Sequence, residues 1–239
     1  MDVPETVATA LADRPVEGAV CLEAGAGVGN ATAGLLEAGA ERVYAVSNDP
    51  ADPPAVRERV GPDSRLVPLV ADLRATPRAD DSVDLITAHG LCNVLEPAAL
   101  DTVVSEFGRV AAPGAHLVVD DYDPLPEEAA VRELFAVENA AAQLAEDRAA
   151  LTFYPASMLR RSFEGAGWRF DRERTLLDPV PWTESHVAAH ADVARSLAAD
   201  APAELRGPLQ TEIDDCEERV GSESAGRMYS LAFRWPGEK

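Results

Sequence analysis

The segment Glu23-Ala24-Gly25-Ala26-Gly27-Val28-Gly29 restricts the possible folds of this chain more than any other stretch. Glycine loses more backbone freedom on folding than alanine, about 0.5–1 kcal/mol per residue, and three at alternate positions exceed what tight packing requires. Apolar residues ahead of the segment read as a strand near 19–23, and NATAGLLEAGA behind it reads as a helix stopped by Gly39. A glycine loop between a strand and a helix lets backbone N–H groups and the helix amino terminus approach a ligand closely. The spacing fails the dinucleotide fingerprint G-x-G-x-x-G: the third position counted from Gly25 is Asn30, and counted from Gly27 it is Thr32.

Strand and helix patterns alternate along the rest of the chain, the mark of βαβ units and a mostly parallel sheet. A short helix is expected at 4–13, a second strand at RVYAVS, a short helix at 55–60, a third strand near 65–71 and a fourth near 83–88. PAALDTVVSEFGRVA is an amphipathic helix expected to end at Pro113-Gly114, and AHLVVDDY is the fifth strand. Past Tyr122, helices are expected over 125–150, from Pro155 to a cap at Gly165 or Gly167, and over 184–220. RFDRERTLL reads as a sixth strand and RMYSLAFRW as a last one. No repeat or low-complexity linker interrupts the pattern, so residues 1–239 are expected to form one domain, with helical lid insertions at 123–158 and 178–227. Insertions at the carboxyl ends of strands are where pockets form in open α/β sheets.

Charge narrows the partners. The 239 residues carry 42 Asp and Glu against 21 Lys and Arg, a net charge of −21, and Lys239 is the only lysine. Apolar periodicity throughout excludes a disordered acidic tail. Such a surface suits a salty cytoplasm, where at ~1 M salt a Debye length of roughly 3 Å screens the self-repulsion. It reads as halophilic and haloarchaeal. No basic stripe is available for nucleic-acid backbones. Cys21, Cys92 and Cys216 are far apart without metal-ligand spacing and fit reduced, buried thiols. The first residues do not read as a signal peptide, and no apolar run approaches the ~20 residues that span a bilayer. A cytoplasmic protein is expected.

The acid followed by alternating glycines resembles motif I of the class I S-adenosylmethionine-dependent methyltransferases, and other segments extend the resemblance. Asp72-Leu73 is similar to the pair that contacts the adenine in that family. Asp84 starts a segment like the family's fourth strand, EFGRVAAPGAHLVVDDY resembles its helix, Pro-Gly turn and fifth strand, and PASMLRRSFEGAGWRF its next helix and strand. The resemblance implies a doubly wound, Rossmann-like sheet of about seven strands with the last antiparallel, and S-adenosylmethionine as cofactor. Contacts to it are expected from Glu23, Gly25, Gly27, Gly29, Ser47, Asn48, Asp49, Asp72, Leu73 and His89. One departure is conspicuous. Where the family ends its second strand with the acid that holds the ribose hydroxyls, this chain has Ser47, with an acid two residues on. Asp49, with Ser47, is expected to replace it. Two residues of extended chain cover ~6.6 Å, so that substitution requires the strand to end early or the loop to fold back.

Methyl transfer from a sulfonium is an in-line displacement, so a protein mainly aligns the reactants and excludes water, and no metal is required. A base, where the nucleophile needs one, is expected just past the fourth and fifth strands. The candidates are His89, Asp121 and Tyr154; imidazoles titrate near neutrality, and alternation along the fifth strand sends only one of Asp120 and Asp121 to the pocket side. His89 equally suits a loop role against the cofactor. His116 is expected as a strand residue. His186 and His190, at i and i+4 on a helix, have metal-ligand spacing but no third ligand. Trp168, Trp182 and Trp235 are expected in the core. A methyltransferase for a small-molecule acceptor is the leading reading; a non-catalytic scaffold of the same fold and an NADP-linked reductase are the alternatives.

Overall fold

A computed structural model describes residues 2–237; Lys239 lies outside the described residues. The chain runs α1 (Glu5–Leu11), β1 (Val20–Ala24), α2 (Asn30–Glu37), β2 (Arg42–Ser47), α3 (Asp52–Val60), β3 (Leu66–Val70) and β4 (Val83–His89). It continues through α4 (Pro97–Val110), β5 (Ala111–Tyr122), α5 (Val131–Glu146), α6 (Ala156–Gly165) and β6 (Arg169–Leu177). The remaining elements are β7 (Pro181–Trp182), α7 (Glu184–Asp200), α8 (Ala203–Val220), β8 (Glu223–Ser224) and β9 (Met228–Arg234).

Period-two alternation builds the sheet. Cys21, Val43, Leu85 and Val118 face α1 and α2, while Leu22, Val46, Ile86 and Leu117 face α4 and α6. Both faces are covered, so the strands read as nearly continuous apolar runs. Each fully buried Leu or Phe contributes about 1.5–3 kcal/mol, and Phe107, Phe163, Trp168 and Phe233 anchor the α4/α6 side. The strand order is β3-β2-β1-β4-β5-β9-β6, with β9 antiparallel to both neighbours, as the sequence predicts. The order reverses between β1 and β4, and ligands bind in the crevice at such a switch point.

Boundaries shift in places. The fourth helix ends at Val110, three residues before Pro113-Gly114, because β5 begins at Ala111. Gly114 instead lies inside that strand at φ +85°, donating to the Trp235 carbonyl at 3.0 Å, and the β4–β5 register shifts between Val83 and Leu85. The helix after Pro155 is capped through Gly167, at φ +101°, with the Trp168 amide returning to the Phe163 carbonyl at 3.1 Å. The stretch 184–220 divides at Ala201-Pro202, with Pro202 capping α8. The β7–β8 ribbon that brackets α7 and α8 was not expected; two residues per strand carry no periodicity.

Helices α5, α7 and α8 pack on one another around Phe135, Ala191, Ala194 and Ile213, and they rest on Tyr122, Leu177 and Met228. They therefore stand at the carboxyl ends of β5 and β6, beside the switch point. No helix among the described residues is long and apolar enough to cross a membrane.

Candidate functional site

A cavity of about 840 Å³ opens at the carboxyl ends of β1, β2 and β4, between the sheet edge and residues of α5, the loop after it and α7. Its floor is the glycine loop. Gly25, Gly27 and Gly29 sit at φ +74°, +47° and +81°, a region that L side chains rarely adopt. The Gly25 and Ala26 amides donate to the Val46 carbonyl at 2.9 and 3.0 Å, which ties the loop to β2. A Cβ on Gly25 would stand 2.8 Å from Leu91 Cδ1, and one on Gly29 3.3 Å from Val56 Cα, so these two glycines permit close packing. Gly29 does not line the cavity; it seats α2 against α3. At Gly27 a Cβ would meet nothing within 4 Å, and the Gly27 and Val28 amides have no partner among the described residues. That is a cradle of free donors beside open space.

Glu23, next to last in β1, lies beneath the loop and is 2% exposed. Its carboxylate accepts from the Thr32 hydroxyl and from the Thr32 and Ala31 amides, which locks α2 onto the strand. Burial nevertheless pushes its pKa up to about 8.

At the end of β2 the carboxylate hydrogen-bonded to Ser47 is not that of Asp49. Ser47 lines the cavity, and its hydroxyl is hydrogen-bonded to the carboxylate of Asp52 in the first turn of α3. Asp49 also lines the cavity, but its carboxylate is turned to its own loop, accepting from the Ala51 amide at 2.8 Å, while its amide donates to Ser47 Oγ at 3.1 Å. Asn48 lies between them on the same wall. The loop does fold back, and the carboxylate it brings to Ser47 is that of Asp52. Sequence reasoning missed this residue because it lies five positions beyond the strand end, inside a helix.

Asp72 and Leu73 line the opposite wall. Leu73 is buried, and the Asp72 carboxylate forms a two-oxygen pair with Arg74 at 2.6–3.0 Å that lowers its pKa. His89 is the last residue of β4 rather than a loop residue, and its Nδ1 is 3.0 Å from Asp120 Oδ2 on the neighbouring strand. Asp121, expected as a catalytic carboxylate, does not line the cavity. It is fully buried on the α4/α6 side, accepting from the Asn93 amide at 3.0 Å and the Tyr122 amide at 2.8 Å, and burial raises its pKa to about 7. Its role is to hold the tight turn Cys92–Val94, and Asp120 is the aspartate linked to the cavity through His89. Tyr154 is likewise absent from the lining. Its ring is 6% exposed in the core beside Leu159, and its carbonyl accepts from the Tyr229 hydroxyl at 2.8 Å.

The two α7 histidines serve separate purposes. His186 completes the helix cap with Thr183, and His190 pairs with Glu138 of α5 at 2.8 Å. Among the described residues no group of three His, Cys, Asp or Glu side chains is placed to hold a metal ion. Trp168, Trp182 and Trp235 are all buried, and the three cysteines are buried free thiols. Aromatic scarcity in the sequence concealed one cluster: Tyr122, Phe135, Phe153 and Trp182 meet with ring centroids 5.1–6.4 Å apart behind the helical wall.

Similarity to known proteins points the same way. Residues 22–119 match the family described as methyltransferase domain. Over that stretch the chain is similar to a methyltransferase domain. A demethylmenaquinone methyltransferase of Clavibacter sepedonicus is 36% identical to it over 122 residues, which is 50% of this chain and 48% of the relative. The chain thus spans about half the length of the curated relative it matches. Among solved structures, the 4+2 cyclase SpnF superposes with a TM-score of 0.66 at 17% identity, over 98% of this chain and 81% of its own. A 1,6-didemethyltoxoflavin-N1-methyltransferase from Burkholderia thailandensis, solved with S-adenosylhomocysteine, gives 0.58 at 16% identity over 96% and 76%. These two likenesses concern the fold, and they cover the helical wall that lies outside the matched methyltransferase domain. They also join a cyclase and a methyltransferase on one scaffold, so function must be argued from the site.

Proposed function

We propose that this protein is an S-adenosylmethionine-dependent methyltransferase acting on a small-molecule acceptor. The observation that carries the reading is the glycine loop: three left-handed glycines, two unpartnered amides and open space at Gly27, at the switch point of a sheet of this order. In this reading the amides at Gly27 and Val28 receive the amino-acid end of the cofactor, Leu73 and Asp72 border the adenine, and Ser47 with Asp52 accepts the ribose hydroxyls. Asn48 and Asp49 complete the ribose wall. When bound, S-adenosylmethionine supplies an electrophilic methyl group, and its sulfur takes the electron pair of the broken S–C bond.

The chain's own residues orient, enclose and exclude. Residues 123–158 and 178–227 act as the lid of a single domain: Leu151, Val193 and Leu197 shield the cavity from water and strengthen electrostatic interactions within it. His89, held by Asp120, lies at the end of β4, where it contacts cofactor or acceptor. The acidic surface adapts the protein to a salty, cytoplasmic interior of haloarchaeal type.

Thermal unfolding in molar potassium chloride tests the reading. S-adenosylmethionine and S-adenosylhomocysteine at about 100 times their dissociation constants each add about 2.7 kcal/mol of stability, and NADPH adds none. Stabilisation by NADPH alone would favour a reductase. A non-catalytic role is the second reading, favoured by Ser47 in place of the family's acid. It predicts stabilisation by both sulfur nucleosides without transfer of label from methyl-tritiated S-adenosylmethionine to any acceptor.

A further inference from the structure

The helical wall carries a side-chain pair that the cofactor does not need. His190, Val193 and Leu197 are spaced i, i+3, i+7 on α7, and all three line the cavity, while Val187, Ala191, Ala194 and Ala198 turn into the helical core. The imidazole of His190 is thus on the cavity face of its helix. Its Nδ1 is 2.8 Å from Glu138 Oε2, and the Glu138 side chain, 4% exposed, has no other hydrogen-bond partner among the described residues. A carboxylate can only accept, so the proton of the neutral ring is on Nδ1 and the lone pair is on Nε2. Nε2 bonds to no described residue. Phe135 stacks edge-on against the ring at 4.6 Å and Trp182 stands 6.3 Å away, which limits ring rotation. A carboxylate holding one nitrogen of an imidazole so that the other addresses a pocket is the arrangement that makes a histidine a base.

The surroundings restrict what such a base acts on. Val28, Val94 and Val193 are 57%, 49% and 48% exposed, and all three line this cavity, so half of the six exposed large apolar side chains among the described residues gather here. Single exposed apolar residues need no explanation, but a group around one cavity marks a site for an apolar body. Arg148 brings a cation to the same wall, where it is paired with Glu146. An imidazole base needs an acceptor whose own proton is acidic, and a nearby guanidinium favours an acceptor that becomes anionic.

We infer that His190, aligned by Glu138, is the base of the acceptor site, and that the acceptor is a phenol or enol: an apolar ring or chain bearing one acidic O–H. The proton passes from the acceptor oxygen to Nε2; the O–H bond breaks, the N–H bond forms, and the electron pair stays on oxygen as the nucleophile. The Glu138 carboxylate stabilises the resulting imidazolium, and the partly exposed ring returns the proton to water. Glu138 is the positioning residue. This assignment rests on the methyltransferase reading for the step that follows, but the proton transfer itself can be observed without it.

The test uses the full chain with S-adenosylhomocysteine and 4-nitrophenol, whose phenolate alone absorbs visible light, at a pH below the probe's own ionisation. The parent protein is expected to produce a saturable phenolate band. His190→Asn lowers the band about ten-fold, Glu138→Gln lowers it partly, and Glu138→Asp restores part of that loss. The double variant H190N/E138Q, which leaves no buried unpaired carboxylate, matches H190N. Stabilisation by S-adenosylhomocysteine, measured on the same samples, is retained in all of them. A phenolate band of equal size in H190N, or no band with the parent, overturns the inference. A parent that ionises the probe but is not stabilised by S-adenosylhomocysteine overturns the cofactor reading and leaves the base in place.

Discussion

At the scale of single residues, the proposed ribose wall depends on which carboxylate reaches Ser47. Asp52 does so, whereas Asp49 is engaged with the Ala51 amide. Asp52→Ala is therefore expected to weaken S-adenosylhomocysteine binding about ten- to a hundred-fold, roughly 1.4–2.8 kcal/mol, and Asp49→Ala less than about three-fold by calorimetry. Equal losses for both would refute the assignment. Gly27→Ala separates strain from ligand. With φ at +47° and free space around the position, the methyl group costs about 1–2 kcal/mol of stability, but it projects into the cradle and should abolish cofactor-dependent stabilisation. The glycines were legible because their spacing is local. Asp52 and the His190–Glu138 pair were not: the first is reached by a folded-back loop, and the second joins positions 52 residues apart.

At the scale of elements, one carboxylate fastens the helical wall. Glu223 in β8 accepts from the Ala130 and Val131 amides at 3.1 and 2.9 Å, capping the amino end of α5 with a charge that complements the helix dipole. Glu223→Gln should cost about 1 kcal/mol, and hydrogen exchange should speed up first in α5. Uniform acceleration across the sheet would instead mean that the wall and the sheet unfold as one unit. The long periodic elements were readable: β2, β9 and α6 fall within a residue or two of expectation. The cap and its ribbon were not, since a two-residue strand is defined by its partner across the fold. The Pro-Gly pair misplaced the end of α4 for a related reason: glycine punctuates a strand bulge as readily as a helix end.

At the scale of the whole molecule, pH and chain order have consequences. Glu23 and Asp121 are raised by burial to about 8 and about 7. The native state keeps these protons after the unfolded chain has released its own, so stability declines as pH rises from about 4 to about 8. Glu23→Gln and Asp121→Asn should each flatten that decline, as read from denaturant midpoints near pH 5 and near pH 8. A slope unchanged in both variants would assign it to the net charge of −21 instead. Alternation of strand and helix made the doubly wound class legible. The packing of α5 against α7 was not, because it depends on side chains brought together only by the finished sheet. That sheet has its own timetable. Among the described residues β9 is the last strand to be translated, yet it lies between β5 and β6 and pairs with both. While the ribosome is still adding residues before Met228, β6 has no neighbour to join and the floor beneath the helical wall is incomplete. The sheet beneath the helical wall is therefore complete only once β9 has emerged, and until then the unpaired edges of β5 and β6 stay exposed to whatever chaperones the cell provides.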